Sequence, residues 1–279
     1  VDFFKADLHC HSLHSDGTFS GQDLILQAVE AGLKGLSITD HDSLDAYAEA
    51  KMCADSKGIA LVPGVELTCS FGKKGVHLLG YAFNLKDERL QSLCQNQQKL
   101  RLNRFLAILN RLKLLGIDLQ EKVFAKPQCH IGSLGRMHIA ESLVLEGHAP
   151  TISEAFSRFL GEGKRAYVPF QGVPVAEAIH LIQQAKGFAV LAHPHVIRDR
   201  KLLREVLNMP LDGVEGYYAQ FPLATNQNWL SVAAKKGWIV TGGSDFHGEN
   251  KPFNRLGSAW TPKETFDYLL AHAEQVNRR

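Results

Sequence analysis

Short apolar runs alternate with longer amphipathic stretches through both ends of the chain. The runs Asp2–Leu8, Gly35–Thr39, Ala60–Val65 and Phe188–Ala192 have the length of buried strands. After the first, Ser20 reads as a helix N-cap, with Leu24, Ile25, Ala28 and Val29 as the apolar stripe and Gly32 as its end. Strand 35–39, a helix over 43–56 and strand 59–65 follow, and residues 75–83 read as a fourth strand carrying His77. The rhythm then changes. Residues 86–115 form one long helical pattern, followed by helical stretches over 133–146, opening at Ser133, and over 153–160, capped by Ser153. Alternation resumes at Tyr167 with helix 175–186, strand 188–192, helix 199–207 and strand 212–217, then helix 224–236, strand 238–241 and a last helix over 263–273. About seven strands alternating with helices predict an α/β barrel or wound sheet. The helical run sets off an inserted subdomain at 91–164 from barrel portions at 1–90 and 165–279.

Composition narrows the class only slightly. The 279 residues can hold one large domain with an insertion, and 45% hydrophobic with 22% charged residues is ordinary for a soluble globular chain. Lys and Arg exceed Asp and Glu by 31 − 29 = 2, so nothing argues for bulk nucleic-acid binding, although a local basic cleft stays open. No apolar run approaches the length of a membrane span, and no signal-peptide pattern leads the chain. Cys10, Cys53, Cys69, Cys94 and Cys129 are scattered without CxxC spacing, which predicts free thiols and a cytoplasmic location. Cys10 sits between two histidines, but strand alternation turns it away from them and into the core.

The chemistry lies in six histidines and three carboxylates. His9, His11, Asp16, His41, Glu66, His77, His193, Asp245 and His247 collect where the strands are expected to stop. A barrel that brings its strand ends to one rim pools them in one cleft. Imidazole nitrogens mixed with carboxylate oxygens suit divalent transition metals. Nine donors are too many for one ion and about right for two or three that share a bridging carboxylate. His9 and His11 project from the same strand face, so both can grip one ion. Asp16 before Gly17 also reads as a simple turn.

Other residues carry weaker signals. Asp40 or Asp42 could orient the His41 imidazole, and Asp42 reads equally well as a helix cap. His195 reads as a surface neighbour and His14 as a loop residue, while His130, His148, His180 and His272 read as structural or solvent-facing. Arg101 and Arg104, at i and i+3, either offer two guanidinium groups to a phosphate or form a solvated basic face. Phe156, Phe159 and Tyr167 either stack a base or pack in the core.

The segments Asp7–Gly17, Thr39–Asp42, Pro63–Glu66, Ala192–Pro194 and Gly243–His247, in that order, resemble the motifs of the polymerase-and-histidinol-phosphatase (PHP) superfamily. The insertion and the stretch Gly161–Val168 further resemble a bacterial subgroup acting on nucleoside 3′,5′-bisphosphates and short RNA 5′ ends. The resemblance implies a distorted (β/α) barrel of seven strands with three metals at one rim. His9, His11, Glu66 and Asp245 would hold one ion, Glu66, His77 and His193 a second, and Asp16, His41 and His247 a third. It implies a phosphoesterase whose nucleophile is a metal-bound hydroxide held by Asp16, Glu66 and Asp245. The expected reaction removes the 3′-phosphate of a nucleoside 3′,5′-bisphosphate, with short 5′-phosphorylated RNA or histidinol phosphate as alternative substrates. Mn²⁺, Fe²⁺ or Zn²⁺ is expected over Mg²⁺, which prefers oxygen-rich shells, and Mn²⁺ is placed first of the three. Substrate contacts are expected from Arg101 and Arg104, from Arg136 and His138 at a helix start that favours anions, and from Lys164 in a Gly-rich loop. Neither a membrane nor a stable protein partner is implied.

Overall fold

A computed structural model describes residues 4–119, 134–219, 221 and 223–278. Cys129, His130 and Ser133 lie outside them. Strand β1 (Ala6–Cys10), helix α1 (Gly21–Glu30), β2 (Gly35–Ile38), α2 (Asp45–Lys57) and β3 (Ala60–Leu61) open the fold as a parallel sheet ordered β1-β2-β3. The run expected as one strand over 59–65 is split at Pro63. Proline has no N–H to give a ladder, and the Pro63 carbonyl instead accepts the Ala82 amide at 2.9 Å. Beyond it, β4 (Gly64–Phe71) pairs antiparallel with β5 (Lys74–Tyr81), and β5 pairs antiparallel with β6 (Phe188–Leu191). Strands β7 (Gly213–Tyr218) and β8 (Ile239–Gly243) continue this second sheet in parallel.

The described residues therefore form a mixed α/β fold with eight strands in sheets of three and five, where about seven strands in one barrel were expected. The sheets meet along two seams, through the isolated bridges Cys10↔Phe246 and His41↔Glu66. At one seam the His11 amide donates to Phe246 O at 2.8 Å, and at the other the Asp42 amide donates to Glu66 O at 2.9 Å. Both seams carry non-glycine residues at positive φ, Asp245 at 53° and Asp42 at 54°. L-residues rarely adopt that conformation, and the regular ladder gives way where it occurs.

Each sheet is sealed by helices. On α2 the small residues Ala46, Ala50 and Ala54 pack with Leu24, Ile25 and Ala28 of α1. Val65, Leu67 and Leu78 of the larger sheet pack with Ala178, Ile179 and Ile182 of α6 (Val175–Gln184). Ala6 and Leu8 meet Phe266 and Leu269 of α9 (Lys263–Asn277). Helix α7 (Arg200–Leu207) and helix α8 (Leu223–Lys236) flank β7 in the chain.

Between β5 and β6 come α3 (Glu88–Leu114), α4 (Arg136–Leu145) and α5 (Ile152–Ala155), the last continued by a π turn over Phe156–Leu160. They share an apolar cluster of their own, including Phe105, Ile108, Leu112, Ile139, Leu143 and Leu160. Asp87 caps α3 by accepting the Arg89 and Leu90 amides. The cap of α5 is Thr151, not Ser153: its hydroxyl accepts the Glu154 amide at 3.1 Å.

Candidate metal centre

Alternation along β1 puts Asp7, His9 and His11 on one face and Ala6, Leu8 and Cys10 on the other. His9 Nε2 lies 3.3 Å from Glu66 Oε2 and 3.4 Å from Asp245 Oδ1. His11 Nε2 lies 3.1 Å and 3.4 Å from the same two atoms. After β1 the chain folds back on Asp40, which accepts the Ser12 amide at 2.7 Å and the Ser12 and Ser15 hydroxyls at 2.6 and 2.5 Å. A Cβ on Gly17 would sit 2.1 Å from His11 O, so only glycine permits this return. The loop delivers Asp16 to within 3.3 Å of His247 Nε2 and 4.0 Å of His41 Nε2.

Glu66 and His77 are not at strand ends. They lie inside the β4–β5 hairpin, where His77 pairs with Thr68. His77 Nδ1 is 2.8 Å from Glu66 Oε1, and His193 Nε2 reaches the same oxygen at 2.9 Å. All nine residues singled out in the sequence converge on one cleft. Eight of them supply donor atoms to three groups, each within 4.8 Å: His9, His11, Glu66 and Asp245; His11, Asp16, His41 and His247; and His41, Glu66 and His77, with His193 joined through Glu66. The partition implied by the resemblance is thus blurred at His11 and His41, each of which adjoins two groups.

The donors suit divalent transition metals. His11 Nε2, His41 Nδ1 and Asp16 Oδ1 are buried and make no well-directed hydrogen bond, only ion-pair approaches, the closest of 3.1–3.3 Å, to other members of the cluster. Burial opposes ionisation of Asp16, Glu66 and Asp245, but neighbouring imidazoles, with Lys251 at Asp245, hold all three carboxyls well below the usual range. They are anionic and facing one another. Burial also works against a protonated His11, yet Asp245 and Glu66 outweigh it and lift its pKa to about 9. At His41 and His247 burial wins and lowers the pKa.

Beside the cluster opens a cavity of about 380 Å³ whose wall includes Asp16, His41, His77 and His247. Arg101, Arg104, Arg136, Lys73 and Lys251 also line it, against the carboxylates of Asp16 and Glu162. Arg104 lies over the rings of Tyr167 (5.8 Å) and Phe170 (5.6 Å), and Arg136 over Phe156 (5.5 Å). Burial and the nearby Arg136 lower the Arg104 pKa to about 10. Phe156 and Tyr167 line the cavity, whereas Phe159 is packed in the helical core.

Two expected contacts are not brought to it. His138 turns inward, its Nδ1 accepting the Gly135 amide at 3.1 Å at the start of α4. Lys164 is exposed and absent from the lining.

A PHP domain profile matches residues 7–163. The chain belongs to the PHP family. A 5′-3′ exoribonuclease of Haemophilus influenzae is 33% identical over 87% of this chain and 90% of its own. A 3′,5′-nucleoside bisphosphate phosphatase of Chromobacterium violaceum is 29% identical over 86% of each chain. A solved structure from Bifidobacterium adolescentis, assigned as a metal-dependent phosphoesterase, superposes with a TM-score of 0.85 at 31% identity over 96% of each chain. This PHP protein is a metal-dependent phosphoesterase, and no helix among its described residues is long and apolar enough to cross a membrane.

The PHP site also uses residues that motif reading passed over. Glu215 Oε1 lies 2.7 Å from His9 Nδ1, and Tyr218 OH donates to Asp245 Oδ2 at 2.7 Å. Lys251 Nζ donates to the same Asp245 oxygen at 2.8 Å. Asp7 accepts the His9, Ser244 and Gly257 amides, tying β1 to the segment after β8. Glu215 was detectable as the carboxylate inside strand 212–217, beyond Asp212 at its start, and Lys251 as a cation four residues past His247. Neither Asp40 nor Asp42 orients His41. Asp42 instead pairs with Arg101 at 2.6 Å and accepts the Thr68 amide at 2.9 Å. His195 bonds Asn226 at 2.9 Å and stacks near Tyr218, and His14 bonds Glu49 at 2.8 Å.

Proposed function

We propose that the protein hydrolyses the 3′-phosphate of nucleoside 3′,5′-bisphosphates, giving the nucleoside 5′-monophosphate and phosphate. One observation carries this reading: the imidazole–carboxylate cluster shares its wall with a cavity holding three arginines. A substrate with two phosphates on one ribose presents one to each. The name of the Chromobacterium violaceum relative supports the same substrate class.

Two or three divalent ions, with Mn²⁺ preferred, would be held by His9, His11, Asp16, His41, Glu66, His77, His193, Asp245 and His247. When bound, such ions activate water and neutralise phosphate charge. The chain's own residues do the rest. Glu215 orients His9, while Tyr218 and Lys251 fix the Asp245 carboxylate. Arg101, Arg104 and Arg136 receive the 5′-phosphate, and the rings of Phe156 and Tyr167 flank the nucleoside. The inserted subdomain, 91–164, is the substrate-recognition part in this reading. Cys10, Cys53, Cys69 and Cys94 all carry free thiols, which suits the cytoplasm.

A hydrolysis panel after manganese reconstitution tests the proposal, using nucleoside 3′,5′-bisphosphates, AMP, histidinol phosphate and a 5′-phosphorylated oligoribonucleotide. The bisphosphate should rank first by kcat/KM, and Asp245→Asn should abolish its turnover while the protein stays folded. A preference for histidinol phosphate would overturn the substrate and leave the reaction class. The arginines stand against that outcome, since they would face a cationic amine.

A further inference from the structure

We propose that an aromatic cavity beside the metal centre binds an uncharged planar base of the purine class, and that its occupancy tightens the hold on metal through Tyr218. The inference stands apart from the substrate reading, because this cavity and the arginine-lined one share no lining residue among those described.

The cavity, of about 400 Å³, lies at the end of β7 and falls within the roughly 300–1,000 Å³ of small-ligand sites. The rings of Tyr217, Tyr218, Phe221 and Trp260 line it. Gly242 lets two of them close up: a Cβ there would fall 2.6 Å from Trp260 O and 2.7 Å from Tyr217 Cβ. Aromatic walls favour a flat guest that can stack, and every nucleobase offers a π face.

Charge sorts the guests. No carboxylate is among the described lining residues, and Lys5 Nζ stands 4.7 Å from the Trp260 ring centre. A cationic guest would compete with that ammonium for the ring and be repelled by it. No Lys or Arg is among the described lining residues either, so the cavity offers a phosphate nothing. An uncharged guest remains.

Polar contacts narrow it to a base. Asn226, on α8, lines the cavity and is only 7% exposed. Its Oδ1 accepts from His195 Nε2 at 2.9 Å, and its Nδ2 makes no hydrogen bond among the described residues. A largely buried amide is thus left with donors for the cavity it lines, and burial without an acceptor costs free energy. The Ser258 hydroxyl, also in the lining, donates to Arg255 O at 2.6 Å, which leaves its own oxygen to accept. A purine answers both, with ring nitrogens that accept and an exocyclic amino group that donates.

Tyr218 connects the cavity to the metal centre. Its ring is part of the wall, and its hydroxyl donates to Asp245 Oδ2 at 2.7 Å. A guest stacked on that ring holds it in the rotamer that fixes Asp245. Base and metal then favour the same arrangement, and each strengthens the other by the same factor.

The test starts with calorimetric titration of adenosine into the manganese-loaded protein. Trp260 is 42% exposed, so Trp260→Ala should fold, and its melting curve checks that. This variant should bind adenosine about tenfold more weakly, whereas Phe156→Ala, in the arginine-lined cavity, should leave that binding unchanged. Indole, flat but without a ring acceptor, should bind about tenfold more weakly than adenosine. Mn²⁺ titrated into metal-free protein should bind about fivefold more tightly with adenosine present. Tyr218→Phe, which keeps the ring, should still bind adenosine and lose that gain. Adenosine binding that is absent, or indifferent to Trp260→Ala, overturns the site, and equal binding of indole overturns its assignment to bases. An Mn²⁺ affinity that ignores adenosine, or a gain that survives Tyr218→Phe, overturns the connection through Tyr218.

Discussion

Glu215 Oε1 lies 2.7 Å from His9 Nδ1, and its Oε2 accepts the His193 amide at 2.6 Å. One buried carboxylate thus fixes the ring of one candidate ligand and the backbone of another. With Nδ1 held by Glu215, His9 turns Nε2 toward Glu66 and Asp245, the atom a metal would take once its proton has left. Partners of this kind typically account for ten- to hundredfold in metal affinity. Glu215→Gln should therefore weaken Mn²⁺ binding by about that factor, with a smaller effect on folding. Calorimetric titration of the metal-free variant measures it, and wild-type affinity would show that Glu215 is only a structural acceptor.

Metal uptake should depend on pH in a definite direction. In the metal-free protein burial lowers the His11 pKa, Asp245 and Glu66 outweigh that, and the result is about 9 against an ordinary 6.5. His11 therefore contributes stability to the metal-free fold that is complete below pH 6.5 and is lost as the pH rises through 9. A metal needs the neutral ring and must displace that proton. Mn²⁺ affinity should rise about tenfold per pH unit from pH 6.5 to 8.5 for each proton released. Titrations at three pH values with proton counting decide it, and a flat affinity contradicts it.

The site was more legible in the sequence than the sheet that carries it. His9, His11, His193, Asp245 and His247 were readable because side-chain polarity changes abruptly at the ends of short apolar runs. The split at Pro63 and the antiparallel β4–β5 hairpin were not readable: both flanks of Pro63 are apolar, and pairing direction leaves no local signature. Glu66 was picked out as a candidate ligand and misplaced as a strand-end residue for that reason, whereas His77 was read inside its strand or near its end and lies inside it. Glu215 and Lys251 act through partners far away in sequence or on the next turn of chain, which motif spacing does not encode. His138 was taken for an anion contact on its position at a helix start, where its ring instead caps the helix.

Gly243 meets the first strand at a distance that forbids any side chain. A Cβ there would lie 2.4 Å from His9 Cβ and 2.5 Å from the His9 amide nitrogen. Backbone cannot yield as a flexible side chain can, and overpacking of this kind costs about 1–3 kcal/mol. Gly243→Ala should lower the melting temperature by several degrees and shift His9 away from Asp245. A thermal melt and a metal titration read both effects, and an unperturbed variant would mean that β8 can slide on β1.

Arg104 and Arg136 should discriminate between substrates by their 5′-phosphate. Both guanidinium groups are largely buried beside Arg101, and burial with this mutual repulsion depresses their pKa values. They remain cationic at neutral pH, so the empty cavity concentrates positive charge that a phosphate dianion relieves. A hydrogen bond to a charged group is worth about 1.5–3 kcal/mol, or roughly ten- to hundredfold in binding. Arg136→Ala should raise KM for adenosine 3′,5′-bisphosphate by that factor and leave the KM for adenosine 3′-monophosphate nearly unchanged, because the second substrate offers these arginines nothing. Inorganic phosphate should also raise the melting temperature of the wild type more than that of the variant, since a ligand that binds only the folded state stabilises it. Equal losses on the two nucleotides would place the role of Arg136 in the fold of the helical insertion, through its contact with Leu160 O at 3.3 Å, and not in recognition of the 5′-phosphate.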